Sequence, residues 1–279
     1  MRLIDTETGF FVDFPDFSTA PPYAILSHTW DPKGEQTYQE VREIQERFKR
    51  NDDPSPFPMP SIWDPVFGLL DKVRMACEVA RRDGFRYIWI DSCCIDKTSS
   101  SELSEAINSM YNWYRDAQIC YAFLSDVPSQ SDSDDPRAYG SRFRSSRWFT
   151  RGWTLQELVA PRWVLFLSVE WTLLGTKDTL ASVIEAITRI DSSVLRQEKS
   201  LDSASVAQRM SWAAARQTTR VEDQAYSLLG IFGINMPTLY GEGEQAFRRL
   251  QEEILKKIPD QTMFAWGDHP WPATAIQQK

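Results

Sequence analysis

Pro21-Pro22-Tyr23-Ala24-Ile25-Leu26-Ser27-His28-Thr29-Trp30 is the stretch from which the fold is read. The two prolines cut it off from what precedes. Residues 23–26 are then apolar without alternation, which marks a strand covered on both faces. The run turns polar at Ser27-His28, where such a strand should end. Similar runs recur at 87–90, 119–124 and 163–167, each rich in aromatic or β-branched residues.

The intervals between these runs carry helical signals. Residues 36–49 are polar and weakly helical. Val66, Leu69, Leu70, Val73, Ala76, Cys77 and Ala80 recur at helical spacing, with Pro65 suited to the first turn and Gly84 to the end. Residues 99–101 offer serine caps, Glu102 and Glu105 favour the helix start, and Leu103, Ile107, Met110, Tyr111 and Tyr114 form the next stripe. Residues 154–159 read as a short helix stopped by Pro161. Segments 179–190, 205–216, 223–232 and 244–257 are helical again. Pro54, Pro56, Pro58 and Pro60 make 51–60 a loop, and the Ser- and Asp-rich 128–136 is a second one. Strands alternating with helices predict an α/β fold: a parallel sheet flanked by helices, followed by a C-terminal helical lobe. The expected division is an N-terminal extension at 1–22, an α/β core at 23–170, a helical lobe at 171–258 and a tail at 259–279.

Composition narrows the function. The net charge of -8 argues against a surface for the phosphate backbone of nucleic acid. Cys77, Cys93, Cys94 and Cys120 have no metal-ligand spacing and read as small buried residues, which suits a reducing compartment. No stretch has the length of a membrane span and no signal-peptide pattern opens the chain, so a soluble, cytoplasmic protein is expected. Arg142, Arg144, Arg147 and Arg151 cluster; they suit either a salt-bridged surface loop or a local anion site.

Ligands of open parallel sheets bind beyond the carboxyl ends of the strands. Those ends carry Ser27 and His28, Asp91 with Asp96 close by, and Ser125-Asp126. His28 can orient a ligand or carry a proton, or simply bond a backbone group. Asp91 and Asp96 suit ligand binding or the capping of the following turn. No metal site is implied. Glu157, in Trp153-Thr154-Leu155-Gln156-Glu157-Leu158, suits either a catalytic carboxylate or a structural partner of Arg147, Arg151 or Arg162. Tyr240-Gly241-Glu242-Gly243 lacks a nucleotide-binding glycine pattern and reads as an architectural turn.

Five blocks stand in order along the chain: residues 23–30; Trp89-Ile90-Asp91-Ser92-Cys93-Cys94-Ile95-Asp96-Lys97; residues 148–158; Arg220-Val221-Glu222-Asp223-Gln224-Ala225-Tyr226-Ser227-Leu228-Leu229-Gly230; and residues 240–243. From about Tyr23 to Trp266 the chain resembles the heterokaryon-incompatibility (HET) domain of filamentous fungi. The resemblance implies a role in non-self recognition and programmed cell death, with self-association and other incompatibility proteins as partners. HET domains are held to be distant relatives of TIR domains, so a TIR- or flavodoxin-like sheet is also implied. TIR domains that cleave NAD place a Ser and a Trp-Cys pair before Glu-Leu. Here Ser146, Trp148 and Trp153 precede Glu157-Leu158, but the Cys is absent and the spacing longer.

NAD is then a substrate rather than a cofactor. Its cleavage passes through an oxocarbenium-like state that one carboxylate can stabilise, because nicotinamide leaves without a general acid. On this reading Glu157 is catalytic, while Ser27, His28, Trp30, Asp91, Asp96, Arg151 and Trp153 bind substrate. Trp30, Trp148 or Trp153 would stack on a flat base and Arg151 would hold a phosphate. The alternative is a non-enzymatic signalling module that acts through homotypic assembly.

Overall fold

The computed structural model describes residues 1–50, 61–129, 135–260 and 262. The loop read at 51–60, the centre of the one at 128–136 and nearly all of the tail lie outside them.

Seven strands form one mixed sheet: β1 (Arg2–Asp5), β2 (Phe11–Asp13), β3 (Ala24–His28), β4 (Tyr87–Ile90), β5 (Ile119–Phe123), β6 (Val164–Leu167) and β7 (Leu173–Thr176). Their order is β2-β1-β4-β3-β5-β6-β7. The four apolar runs read from sequence are its parallel centre: β3 pairs with β4 and β5, and β5 with β6, all in parallel. Every residue of β3 is buried, as a strand covered on both faces requires.

The expectation of a purely parallel sheet is corrected at both edges. β1 runs antiparallel to β4 and β2, and β7 antiparallel to β6. These strands have only three or four residues, too few to show a period. The β1–β2 hairpin is held by its turn, where the Asp5 carboxylate accepts the Glu7 and Thr8 amides at 2.9 and 3.1 Å. β7 returns through Trp171, whose ring stacks on Phe123 with centroids 4.3 Å apart.

Helices α1 (Tyr38–Arg50) and α2 (Asp71–Arg82) carry the chain from β3 to β4. α3 (Asp91–Cys94) and α4 (Ser100–Asp116) carry it to β5, and α5 (Arg142–Ser145) and α6 (Thr154–Val159) to β6. The first connection leaves β3 on one side and the second returns across it, so the crossovers change direction at β3. α4 begins as read, with Ser99 Oγ accepting the Glu102 amide. α2 does not begin at Pro65. Pro65–Phe67 is a separate 3-10 turn, ended by Gly68 at φ 90°, a left-handed conformation that suits glycine. Val66, placed on the buried stripe by its spacing, is therefore exposed.

The second half is mainly helical: α7 (Ala181–Thr188), α8 (Ser192–Leu195), α9 (Val206–Ala213), α10 (Asp223–Tyr226), α11 (Leu229–Phe232) and α12 (Gln245–Lys257). Ser205 and Gln208 form a capping box at the start of α9. α11 meets α4 so closely that a Cβ on Gly230 would lie 2.0 Å from Tyr111 Cβ. Aromatic anchors fill the core on the side of the sheet that Ser27 faces. Trp89 meets Trp113 and Tyr114 edge-on, and Trp148 meets Phe149 and Phe166 in the same way.

Candidate functional site

Consecutive residues of a strand point to opposite faces. The end of β3 therefore sends Ser27 toward α6 and His28 the other way. The two sides carry different chemistry.

On the α6 side, Ser27 Oγ donates to Glu157 Oε2 and accepts a bond from Trp148 Nε1 at 2.9 Å. Trp148 is fully buried, so it lines the site and has no face free for a base. The Tyr114 hydroxyl donates to the Leu26 carbonyl at 2.9 Å. Glu157 is 7% exposed. Burial pushes its carboxyl up to about 8; the Ser27 hydroxyl opposes this, Asp91 adds to it, and Arg216 and Tyr114 oppose it.

The arginine partners expected for Glu157 are corrected. No ion pair joins Glu157 to a cation within 4.0 Å among the described residues. Arg147 donates to Ser125 Oγ at 3.1 Å, Arg151 to Thr219 Oγ1 at 2.9 Å, and Arg162 lies over the Trp163 ring. Glu157 points inward beneath β3, and these guanidinium groups stay nearer the surface. Arg144 donates to the carbonyls of Ala138 and Arg137, so its part of the basic cluster supports a loop.

On the other side, the His28 ring is wholly buried. Its Nε2 lies 3.7 Å from Glu35 Oε2 and its Nδ1 3.7 Å from Asp91 Oδ1. Neither nitrogen has a hydrogen-bond partner. Glu35 also pairs with Lys72 and accepts the Asp31 amide at 2.7 Å. Burial alone would raise its pKa, but His28, Lys72 and that amide hold it down at about 2. Asp91 Oδ2 accepts Trp30 Nε1 at 2.9 Å. The Lys97 ammonium sits 4.0 Å above the Trp30 ring and donates to the Asp91 carbonyl at 2.9 Å; burial lowers its pKa. Trp30 itself is 47% exposed. Beside Glu35 lies an open cleft of about 460 Å³, lined also by Lys33, Gln36, Glu43, Arg47 and Leu70. It does not touch Ser27 or Glu157.

Five of the residues singled out in the sequence thus meet at the ends of β3 and β4: Ser27, His28, Trp30, Asp91 and Glu157. The other three are engaged elsewhere. The Asp96 carboxylate accepts the Thr98 amide at 2.9 Å and Gln39 Nε2 at 2.6 Å, the capping role open to it. Arg151 and Trp153 face the segment after α9, Arg151 through Thr219 and Trp153 through Asp223.

Sequence reading missed the residues that hold α6. Arg216 donates to the Arg151 carbonyl and to Thr154 Oγ1, both at 2.9 Å, at the start of the helix. At its end, the Lys177 amine donates to the Leu158 carbonyl at 3.2 Å and also to that of Pro161, and burial lowers its pKa to about 8. Gln197, at φ 57°, adds bonds to the carbonyls of Ala160 and Pro161 at 3.1 and 3.2 Å. Tyr114, Glu35, Lys72 and Lys97 were missed too. Only Lys97 lies inside a recognisable block. The last two blocks interlock as architecture: Glu222 Oε1 accepts the amides of Gly241 and Gly243 at 2.8 and 3.1 Å, and Tyr240 donates to Asp223 at 2.9 Å.

The family model described as heterokaryon incompatibility protein (HET) matches residues 23–142, which contain β3, His28 and Asp91. The vegetative incompatibility protein HET-E-1 of Podospora anserina is 44% identical over 263 residues. The chain is a heterokaryon incompatibility (HET) domain protein. The match to HET-E-1 covers 92% of this chain but 18% of that relative, so the HET chain described here spans under a fifth of its length. A domain of unknown function (DUF8212) matches residues 245–279. No solved structure gives a significant match. No group of His, Cys, Asp and Glu among the described residues suits a metal ion, and no described helix is long and apolar enough to cross a membrane.

Proposed function

We propose that this HET domain is a death effector of fungal heterokaryon incompatibility and that it cleaves the nicotinamide–ribose bond of NAD. The observation that carries the reading is the setting of Glu157. A carboxyl bonded to Ser27 and walled by Trp148 lies at the end of the central strand, where the crossovers change direction and where open α/β sheets bind ligands. Numbered among themselves, the parallel strands have the order 2-1-3-4, which begins the flavodoxin-like order and supports a TIR-like relationship. The incompatibility role rests on HET-E-1 being named a vegetative incompatibility protein.

In this mechanism ionised Glu157 stabilises the oxocarbenium-like ribose as nicotinamide departs, and water completes the hydrolysis. Trp30, exposed beside Asp91, is the residue able to stack on a base without rearrangement. Substrate reaches Glu157 only after movement around α6, and self-association is the event proposed to cause it.

The burial of Glu157 also favours a second reading, a signalling module that kills through homotypic assembly without chemistry. NAD and viability followed in cells expressing the chain fused to an inducible oligomeriser separate the two. The enzyme reading expects wild type, but not an equally soluble Glu157→Gln protein, to drain NAD before viability falls. Death with NAD intact would sink it.

A further inference from the structure

Arg216 carries a charge deep inside the protein with only part of its donor set engaged. It is 9% exposed. Its Nε donates to the Trp212 carbonyl at 3.1 Å, and its Nη1 to the Arg151 carbonyl and to Thr154 Oγ1. Its Nη2 is buried without a partner. A free guanidinium N–H inside a protein is costly, so a native structure that keeps one invites a reason. The neighbouring cavity, about 10 Å³ and lined also by Gly152, Thr218 and Ser227, has room for no more than a water, which excludes a bound phosphate.

An acidic side chain stands on the helix that Arg216 already grips. Thr154, which Arg216 grips, and Glu157 are three residues apart on α6, so they share one face of the helix. Glu157 is held by Ser27 and has no cation within ion-pair distance, yet Arg216 interacts with it electrostatically. We propose that Arg216 is the positioning residue for ionised Glu157: when the carboxyl loses its proton, it turns from Ser27 to the unpaired Nη2 of Arg216. The Ser27 hydroxyl donates to the carboxyl in either state, but only the carboxylate gains a charge-assisted bond from a guanidinium. The proton goes to solvent and no bond other than O–H breaks. Because Arg216 follows α9 in the helical lobe, the charge state of Glu157 becomes coupled to how that lobe sits on α6.

The inference goes beyond NAD cleavage and holds whatever the substrate is. The other groups facing Glu157 do not compete for the role. Asp91 repels a carboxylate, the Tyr114 hydroxyl favours one but already donates its single proton to the Leu26 carbonyl, and the Cys120 thiol lies 3.9 Å from the Glu157 carbonyl rather than the carboxyl.

The test needs no substrate. NMR of the whole chain, labelled at glutamate carboxyl carbons and arginine guanidinium nitrogens, would follow both groups through a pH titration. The Arg216 side-chain signals are expected to move with the same midpoint as the Glu157 carboxyl, and Glu157→Gln should abolish that movement. In Arg216→Met the Glu157 midpoint should rise by about one pH unit or more, and Arg216→Lys should restore most of it. If Arg216→Met does not fold, the wild-type and Glu157→Gln titrations decide alone. Arg216 signals that stay still while Glu157 titrates, or that still move in Glu157→Gln, would overturn the proposal.

Discussion

The two sides of the β3 terminus hold carboxyl groups in opposite states. Glu157 is bonded to a serine hydroxyl in an apolar wall and its pKa is pushed up to about 8. Glu35 is only partly buried, faces His28 and Lys72, and is held at about 2. Adjacent residues of one strand, Ser27 and His28, reach these two settings. Desolvation raises both, more so at the fully buried Glu157; there a hydroxyl partner leaves it the larger effect, whereas at Glu35 the contacts with His28, Lys72 and the Asp31 amide outweigh it. Carboxyls driven apart in this way are the kind that divide roles in catalysis, one group changing its charge near neutral pH and the other keeping it fixed.

The largest effect that would break this contrast is loss of the apolar wall. Trp148→Ala should cost about 3–5 kcal/mol in urea unfolding at pH 7, because a fully buried indole and the donor to Ser27 go together. A loss under about 1 kcal/mol would mean that the α6 side is looser than described.

Glu157→Gln sharpens the contrast by titration. A carboxyl whose folded pKa is raised favours folding below its unfolded value near 4.3 and loses that contribution as pH rises toward about 8. Wild-type stability should therefore fall between pH 4.5 and 8, and Glu157→Gln should lack this decline. The variant should be the more stable by about 3–4 kcal/mol at pH 7. Parallel pH profiles would show Glu157 to be ordinary. Glu35→Gln should behave in the opposite way. Its folded pKa is depressed, so its stabilisation is present above about pH 4.5 and is lost as pH falls toward 2. The variant should be about 2–3 kcal/mol less stable than wild type at pH 7, with the gap closing in acid. Asp96→Asn, at a surface cap away from both carboxyls, should change stability by about 1 kcal/mol or less and leave both pH profiles unmoved.

What could be read in the sequence follows from range. Residues 23–26, 87–90, 119–124 and 163–167 are apolar because covered parallel strands must be, so the centre of the sheet was legible. β1, β2 and β7 are short edge strands whose pairing is decided by neighbours far along the chain, and they left no period. Gly68 stands between Phe67 and Leu69 and ends the 3-10 turn that displaces the start of α2. Ser27, His28, Asp91 and Glu157 were found because they lie at strand ends or in recognisable blocks. Their partners were not: Ser27 and Glu157 are 130 residues apart, and Arg216 reaches Thr154 across 62. Nothing local to Glu35, Tyr114, Lys177 or Arg216 announces such contacts.

Nicotinamide release from NAD by the purified chain, gathered by an inducible dimeriser and followed from pH 6 to 9, tests the central claim most directly. Release by wild type should rise with pH through about 8 as Glu157 ionises, and Glu157→Gln should release none. No release by the assembled wild-type chain, or equal release by folded Glu157→Gln, would contradict the account.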